Sequence, residues 1–280
     1  MAAPQTDVLS IEEIAVNDTE DLGSIAFVTI NRADKLNALN AEVMSSLKNM
    51  VDWVEQTDNI RVVVITGAQP NEPEQGKRAK PNAFVAGADI TEFVGKKSDD
   101  IRKMFTDNAV EALWNISKPT IAMVDGFALG GGCEVACSCD IRIASNRSRF
   151  GTPEINLGLI PGYGATQRLV NLLGYGKAME MIMTGEMIDS EDALKWGLVN
   201  HVVEPEQLYQ FTMNLAKIIG SKSTHTLKVA KKTIRTALST GLEQGVAIEA
   251  EAFASLFDSE DKEIGVSAFI GRHQAKWQHK

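Results

Sequence analysis

The chain has 280 residues, 44% of them hydrophobic and 23% charged, with a formal net charge of −9. That length buries a sizeable core, and the composition is that of an ordinary globular chain rather than a disordered one. The negative charge argues against a general nucleic-acid or membrane-surface binder, and no run of 18 apolar residues is present to span a bilayer.

Met1 to Asp7 carry neither a basic nor an apolar signal region, so no secretory leader is expected. Val8 to Val16 and Ile25 to Ile30 read as strands joined by a polar turn around Asn17 to Gly23. Asn40 is an N-cap for a helix to about Glu55, whose apolar stripe is Val43, Leu47, Met50, Val51 and Val54. The β-branched run Arg61 to Thr66 has the pattern of a buried parallel strand, and the strand–helix–strand order implies a right-handed crossover. Ala68 to Asn82 is a polar loop with little to bury. One helix is expected over Asp99 to Ile116, then strands at Thr120 to Val124 and Asp140 to Ala144. A helix follows over Ala165 to Leu173, and Ser190 caps another, with Glu191 and Asp192 in its first turn and Gly197 just past its end. From Pro205 the pattern is helical throughout, so residues 1–204 are expected to form an α/β core and 205–280 a helical region. The basic, aromatic tail Phe269 to Lys280 is suited to packing on a partner subunit. Lys231, Lys232 and Arg235 read as a solvated basic face.

Cys133, Cys137 and Cys139 are an odd, clustered set, which is no disulfide framework. They fit a reducing, cytoplasmic setting and core packing. With every histidine far downstream (His201, His225, His273, His279), no metal site is expected.

Three segments carry chemistry. Phe84 to Ile90 runs from a strand end through small residues to a helix start at Asp89, where backbone amides can face negative charge. Leu129 to Glu134 puts three glycines before a helix. It lacks the spacing of phosphate loops, and its bare amides suit an oxyanion instead. Glu134 follows, flanked by the apolar Val135-Ala136-Cys137. Phe150 to Gly162 holds Glu154 in an apolar, glycine- and proline-rich stretch, where the alternative is an ion pair with Arg168. Amide donors beside two isolated carboxylates suit proton transfer next to a carbonyl whose oxygen becomes negative.

At these residues the chain resembles the crotonase (enoyl-CoA hydratase/isomerase) superfamily, over blocks from about Ile25 to Val203. The strongest are Phe84 to Ile90, Ile121 to Ser145 and Phe150 to Leu169. The resemblance implies an α/β fold: a spiral of β-β-α turns followed by a helical C-terminal trimerisation region, assembling as trimers or dimers of trimers. It implies an acyl-CoA substrate, with no cofactor beyond the coenzyme A that the substrate carries. The thioester oxygen would sit between the amides of Ala88 and Gly131. Coenzyme A would lie against Lys35, Leu36 and Ala38 and around Ala86, Gly87, Asp89 and Ile90. Members that keep both carboxylates are hydratases, so Glu134 is expected as base and Glu154 as acid, with the Gly162 amide on the water. Two departures stand out. Tyr163-Gly164-Ala165 replaces the family's Ala-Gly-Gly, which puts a large side chain by the acyl group. The 68–82 loop is longer than usual, and its Lys77, Arg78 and Lys80 are candidates for the coenzyme A phosphates. The rivals are an enoyl-CoA isomerase, which needs one carboxylate, and an RNA-binding relative, whose lysine-lined helix corresponds here to Ala41 to Glu55 with Lys48 as its one basic residue.

Overall fold

A computed structural model of the protein describes residues 2–17, 22–71, 79–106 and 108–280. One sheet contains, in spatial order, β1 (Leu9–Ala15), β2 (Ser24–Ile30), β3 (Ile60–Gly67), β5 (Thr120–Val124), β7 (Ile141–Ser145) and β10 (His201–Val203). A second contains β4 (Ala83–Val85), β6 (Phe127–Leu129), β8 (Arg149–Gly151) and β9 (Ile188–Asp189). The β1–β2 and β8–β9 pairs are antiparallel and the others parallel. The helices are α1 (Ala41–Gln56), α2 (Ser98–Phe105), α3 (Ala109–Asn115), α4 (Gly131–Ser138), α5 (Ala165–Leu173), α6 (Tyr175–Thr184), α7 (Ser190–Lys195), α8 (Pro205–Gly220), α9 (Thr224–Thr236), α10 (Leu242–Ser255) and α11 (Glu260–Gly271). The chain repeatedly lays one strand in the first sheet, the next in the second, and then a helix: β3, β4 and α2–α3; β5, β6 and α4; β7, β8 and α5. This is the β-β-α spiral that the resemblance implied.

Strand β3 explains why the sequence there is apolar without alternation. Val63 and Ile65 face the cluster under α1, α3 and α4, while Val62 and Val64 face a second cluster with Leu208, Met213 and Ala216 of α8. Both faces are covered, so every apolar side chain of the strand is buried. The helical stretch after residue 204 thus begins with a helix seated on the sheet. By contrast, α10 buries none of its residues.

Several expectations need correction. The helix foreseen over 99–116 is two, because Asn108 turns its side chain to accept from the Glu111 amide and starts α3 afresh. The cap of α7 is Asp189 rather than Ser190, its carboxylate accepting from the Asp192 amide. Helix α6 and the three-residue strand β8 carry too little periodicity to be drawn as elements, and β4 shows only as the strand end at Phe84. Lys231 and Arg235 are not a solvated face: both pair with Asp140, at 2.7 and 2.8 Å. Of that trio, only Lys232 is exposed. Most of the 17–23 turn lies outside the described residues. Among those described, no helix is long and apolar enough to cross a membrane.

Two polar devices position the loops at the site. Asp125 is buried after β5. Its carboxylate accepts from Gln69 (3.0 Å) and Asn82 (2.9 Å), near the two ends of the 68–82 loop, and from Ser145 and Arg147 (2.7 Å each at Oδ1). Burial would raise its pKa, and the hydrogen bonds from Arg147, Ser145 and Asn82 more than reverse this. Asn37, 1% exposed, does the same for the turn before α1. Its side chain donates to the carbonyls of Ala68 (2.9 Å) and Ala83 (2.8 Å) and accepts from the Arg32 amide (3.0 Å). Its backbone is left-handed, at φ 57°, which Asn tolerates better than most residues.

Replacing Asn37 by Ala removes the side-chain partner of one buried carbonyl, one half-buried carbonyl and one amide. Asn37→Ala is expected to lower unfolding stability by about 2–4 kcal/mol, read from urea or guanidinium melts. A loss within about 0.5 kcal/mol would mean that water replaces the amide.

Candidate active site

The 36–39 turn and the 86–89 segment form one edge of the site. The Ala86 amide donates to Leu36 (3.0 Å), Leu39 to Gly87 (2.8 Å), and Asp89 to Leu39 (2.7 Å). Arg32 crosses this edge, donating to the Ala38 carbonyl (2.6 Å) and pairing with Asp89 (3.2 Å). Lys35, Leu36, Ala38, Ala86, Gly87, Asp89 and Ile90 are therefore brought together, with Lys35 and Ile90 exposed. The helix start foreseen at Asp89 is a single 3₁₀ turn, Ile90–Phe93. Lys80 donates to the Asp34 carbonyl beside Lys35 (2.9 Å), whereas Lys77 and Arg78 lie outside the described residues.

Among the described residues, no carbonyl or side chain takes the amide hydrogen of Ala88 or of Gly131. The two lie close together: a β-carbon on Gly131 would be 3.6 Å from the Ala88 nitrogen. Their proximity depends on Gly132, where a β-carbon would fall 1.9 Å from the Val85 carbonyl oxygen of β4. Only a bare backbone lets α4 press this close. The result is a pair of free donors at a helix start, the arrangement that stabilises an oxyanion.

Glu134 projects from the first turn of α4 and is 1% exposed. Its Oε1 accepts from the Tyr163 amide (2.7 Å) and the Ala165 amide (3.0 Å). Burial pushes its pKa up to about 7, helped by the negative charge of Glu154 and opposed by the two amides and Arg168. Glu154 sits in a 3₁₀ helix, Pro153–Leu157, behind Gly130, where a β-carbon would stand 2.8 Å from its Oε1. Its Oε2 is buried without a partner among the described residues, and burial raises its pKa too. Two carboxylates that both resist ionisation, beside two unspent amides, are equipped to exchange protons with a group held between them. The alternative of an ion pair between Glu154 and Arg168 fails, because Arg168 pairs with Glu111 at 2.7 Å.

A cavity of about 300 Å³ adjoins Ala88, lined by Leu39, Met44, Phe93, Met104 and Tyr163 among others. The Tyr163 ring packs on Phe105 of α2, centroids 4.8 Å apart. The Phe105 ring also crowds Gly162, where a β-carbon would be 2.7 Å from Cζ. Sequence reasoning singled out Tyr163 and Gly162 but missed Phe105, since no motif marks a lone aromatic at the end of a polar helix. A larger cavity, about 740 Å³, opens between α5 and α9; neither Ala88 nor Gly131 lines it, whereas Ala88 lines the smaller one, and Glu134 and Glu154 line neither.

Comparison with known proteins agrees with this geometry. The model of the enoyl-CoA hydratase/isomerase family matches residues 20–280. The short-chain-enoyl-CoA hydratase of Clostridium acetobutylicum is 40% identical over 257 residues, which is 91% of this chain and 94% of that protein. The crotonyl-CoA hydratase of Syntrophomonas wolfei is 34% identical over 274 residues, 97% of this chain and all of that one. Among solved structures, the enoyl-CoA hydratase of Bacillus anthracis superposes with a TM-score of 0.85 at 30% identity, covering 98% of this chain and 100% of that chain.

A carboxyl that titrates at about 7 when folded and 4.5 ordinarily favours the native state less as pH rises through that window. Glu134→Gln keeps the acceptor for Tyr163 and Ala165 and removes the charge. The variant is expected to be more stable than its parent above pH 7, by about 1–3 kcal/mol at 1.36 kcal/mol per pH unit, with the difference vanishing near pH 4. Melting curves across pH check this; a difference that does not change with pH would refute it.

Proposed function

The chain belongs to the enoyl-CoA hydratase/isomerase family, and we propose that it hydrates enoyl-CoA. The reaction is the reversible syn addition of water to a trans-2-enoyl-CoA, giving the 3-hydroxyacyl-CoA. The single observation that carries this reading is that two carboxylates whose pKa burial raises, the buried Glu134 and the half-buried Glu154 with its Oε2 enclosed, stand beside the unspent amides of Ala88 and Gly131. An isomerase needs one carboxylate to carry one proton, and the second would be an unexplained buried cost. An RNA-binding role has no support from α1, where Lys48 stands against Glu42, Asp52 and Glu55.

In the proposed mechanism the thioester oxygen accepts from the Ala88 and Gly131 amides. Glu134, ionised, takes a proton from water as its oxygen bonds to C3, with the Gly162 amide steadying the water. The C2–C3 π electrons move into the thioester, and the amides stabilise the enolate; losing one such donor typically costs about 10²–10³ in rate. Glu154, protonated, delivers its proton to C2. One water is added in total, and the pair returns to its starting state by passing the proton from Glu134 back to Glu154. The two carboxylates interact, so their titrations belong to the pair.

Coenzyme A lies along Lys35, Leu36 and Ala38 and past Ala86, Gly87, Asp89 and Ile90, and no further cofactor takes part. The homo-oligomer is a trimer or a dimer of trimers. Its interface includes the C-terminal helices, which expose Leu242 (85%), Phe269 (87%) and Ile270 (75%) to solvent in the single chain. Three buried free thiols support a cytoplasmic setting.

The purified protein is expected to consume the enoyl absorbance of crotonyl-CoA. Glu134→Gln and Glu154→Gln should each lower kcat by about 10²–10⁴. The kcat/KM profile should fall on the acid side with a midpoint near pH 7, as Glu134 takes up its proton. Full activity in either variant would overturn that residue's role. A second test addresses chain length. Tyr163→Ala removes the ring that walls the acyl cavity, so the ratio of kcat/KM for a six-carbon over a four-carbon enoyl-CoA should rise by about tenfold or more, given about 1–3 kcal/mol per methylene. An unchanged ratio would put the acyl tail elsewhere.

A further inference from the structure

We propose that Arg168 is a positioning residue for Glu134, acting through the Tyr163–Ala165 turn and braced by Trp114 and the C-terminal helix α9. This rests on the reading of Glu134 as the base. The two amides that hold the Glu134 carboxylate belong to Tyr163 and Ala165, so the carboxylate's place depends on the turn that leads into α5 and on that helix's first residue. Arg168, one turn into α5, fixes it: Nη1 donates to the Tyr163 carbonyl at 2.6 Å. Glu134 therefore takes the amide of Tyr163, and Arg168 takes the carbonyl of the same residue. Gly164 lies bare against the guanidinium, with φ 103°, and a β-carbon there would be 2.2 Å from Nη1. The sequence Tyr-Gly-Ala is thus shaped by a cation as much as by the substrate.

Arg168 is itself held from three sides. Nη2 pairs with Glu111 of α3 at 2.7 Å, and the guanidinium lies over the Trp114 ring, 4.6 Å from its centroid. Arg235 of α9 packs on the same ring at 4.0 Å, donates to the Trp114 carbonyl, and pairs with Asp140. A planar, always-charged guanidinium is the group that can stack and donate in a fork at once, which an ammonium cannot do. The side chain is 9% exposed while Glu111 is 52% exposed. So well-buried a cation, against a half-exposed partner, is an expensive way to make a surface ion pair. It is better accounted for by what its other nitrogen holds.

The charged and titratable groups around Glu134 are few. Glu154 faces it from the 3₁₀ helix and raises its pKa, Arg168 from α5 lowers it, and Tyr163 stands beside it on the turn. On α4 itself Cys133 and Cys137 lie close, with Glu111 beyond Arg168. Arg168 is the one cation in this set, so removing it displaces the base and also deprives it of its counter-charge.

The experiment is steady-state hydration of crotonyl-CoA across pH by Arg168→Met and Arg168→Lys, with thermal melts in parallel. Arg168→Met is expected to lower kcat at least tenfold, leave KM within about twofold, and move the acid limb of kcat/KM to higher pH. Arg168→Lys, charged but without the fork and the stack, is expected to lower kcat and leave the limb in place. If the Met variant does not fold, Arg168→Lys against the parent, with Arg235→Gln as a milder loosening of the same brace, reads the kcat loss at unchanged KM. Variants that only melt earlier, with kcat and limb unmoved, would reduce Arg168 to a structural role and overturn the proposal. If instead Glu134→Gln hydrates at the parental rate, the base assignment fails, and the Arg168 result then bears on stability alone.

Discussion

The approach of α4 to β4 governs much of the molecule. The Gly132 backbone lies so near the Val85 carbonyl that no side chain could be present there. That contact lets an eight-residue helix, buried along its whole length, enter the space between the sheets with its amide end toward Ala88. The segment after the strand supplies one free donor, the helix supplies the other, and Glu134 follows three residues later. A β-carbon at Gly132 would push the helix away, part the donors and shift the carboxylate in one stroke.

The site is a region where ordinary rules of burial are broken together. Buried polar groups normally find partners, yet the Ala88 and Gly131 amides and one Glu154 oxygen have none among the described residues. Carboxylates normally stay ionised at neutral pH, yet both here are pushed upward by burial. The polar residues that position the surrounding loops are, by contrast, well satisfied. Asn37 and Asp125 spend nearly all their hydrogen-bonding capacity on loop carbonyls and amides, and even Lys118, fully buried with its pKa lowered to about 8 by burial, donates to the carbonyls of Val54 and Thr57. Stability is drawn from the periphery and withheld from the centre, where groups must remain available to substrate.

Much of the fold was legible because its signals are local. The Asn40 cap with its apolar stripe, the β-branched run of β3 and the glycines before Glu134 each report a constraint that acts within a few residues. The β-β-α spiral and the hydratase chemistry came instead from resemblance. What the sequence concealed is long-range. Strands of three residues are too short to show a period, and Asn108 breaks a helix by one hydrogen bond inside an otherwise helical pattern. The basic residues at 231 and 235 look solvated until Asp140 arrives from the core, nearly a hundred residues away. Phe105 was hidden for the same reason, since it reaches the 162–165 turn from a helix far back in the chain. Arg168 was in view inside Phe150 to Leu169, but as a partner for Glu154 rather than for the Tyr163 carbonyl it holds.

Asp125 joins the 68–82 loop at its base, with Gln69 and Asn82 both on one oxygen of its carboxylate. A loop whose ends are bolted together is uncoupled from the strands it connects. Its closure entropy grows only with the logarithm of its length, about 0.6 kcal/mol per doubling. The register of β4 against β6, and with it the spacing of the two donor amides, does not depend on what the loop contains. The clamp at the loop's base therefore makes it a natural port for grafting a foreign peptide onto the fold.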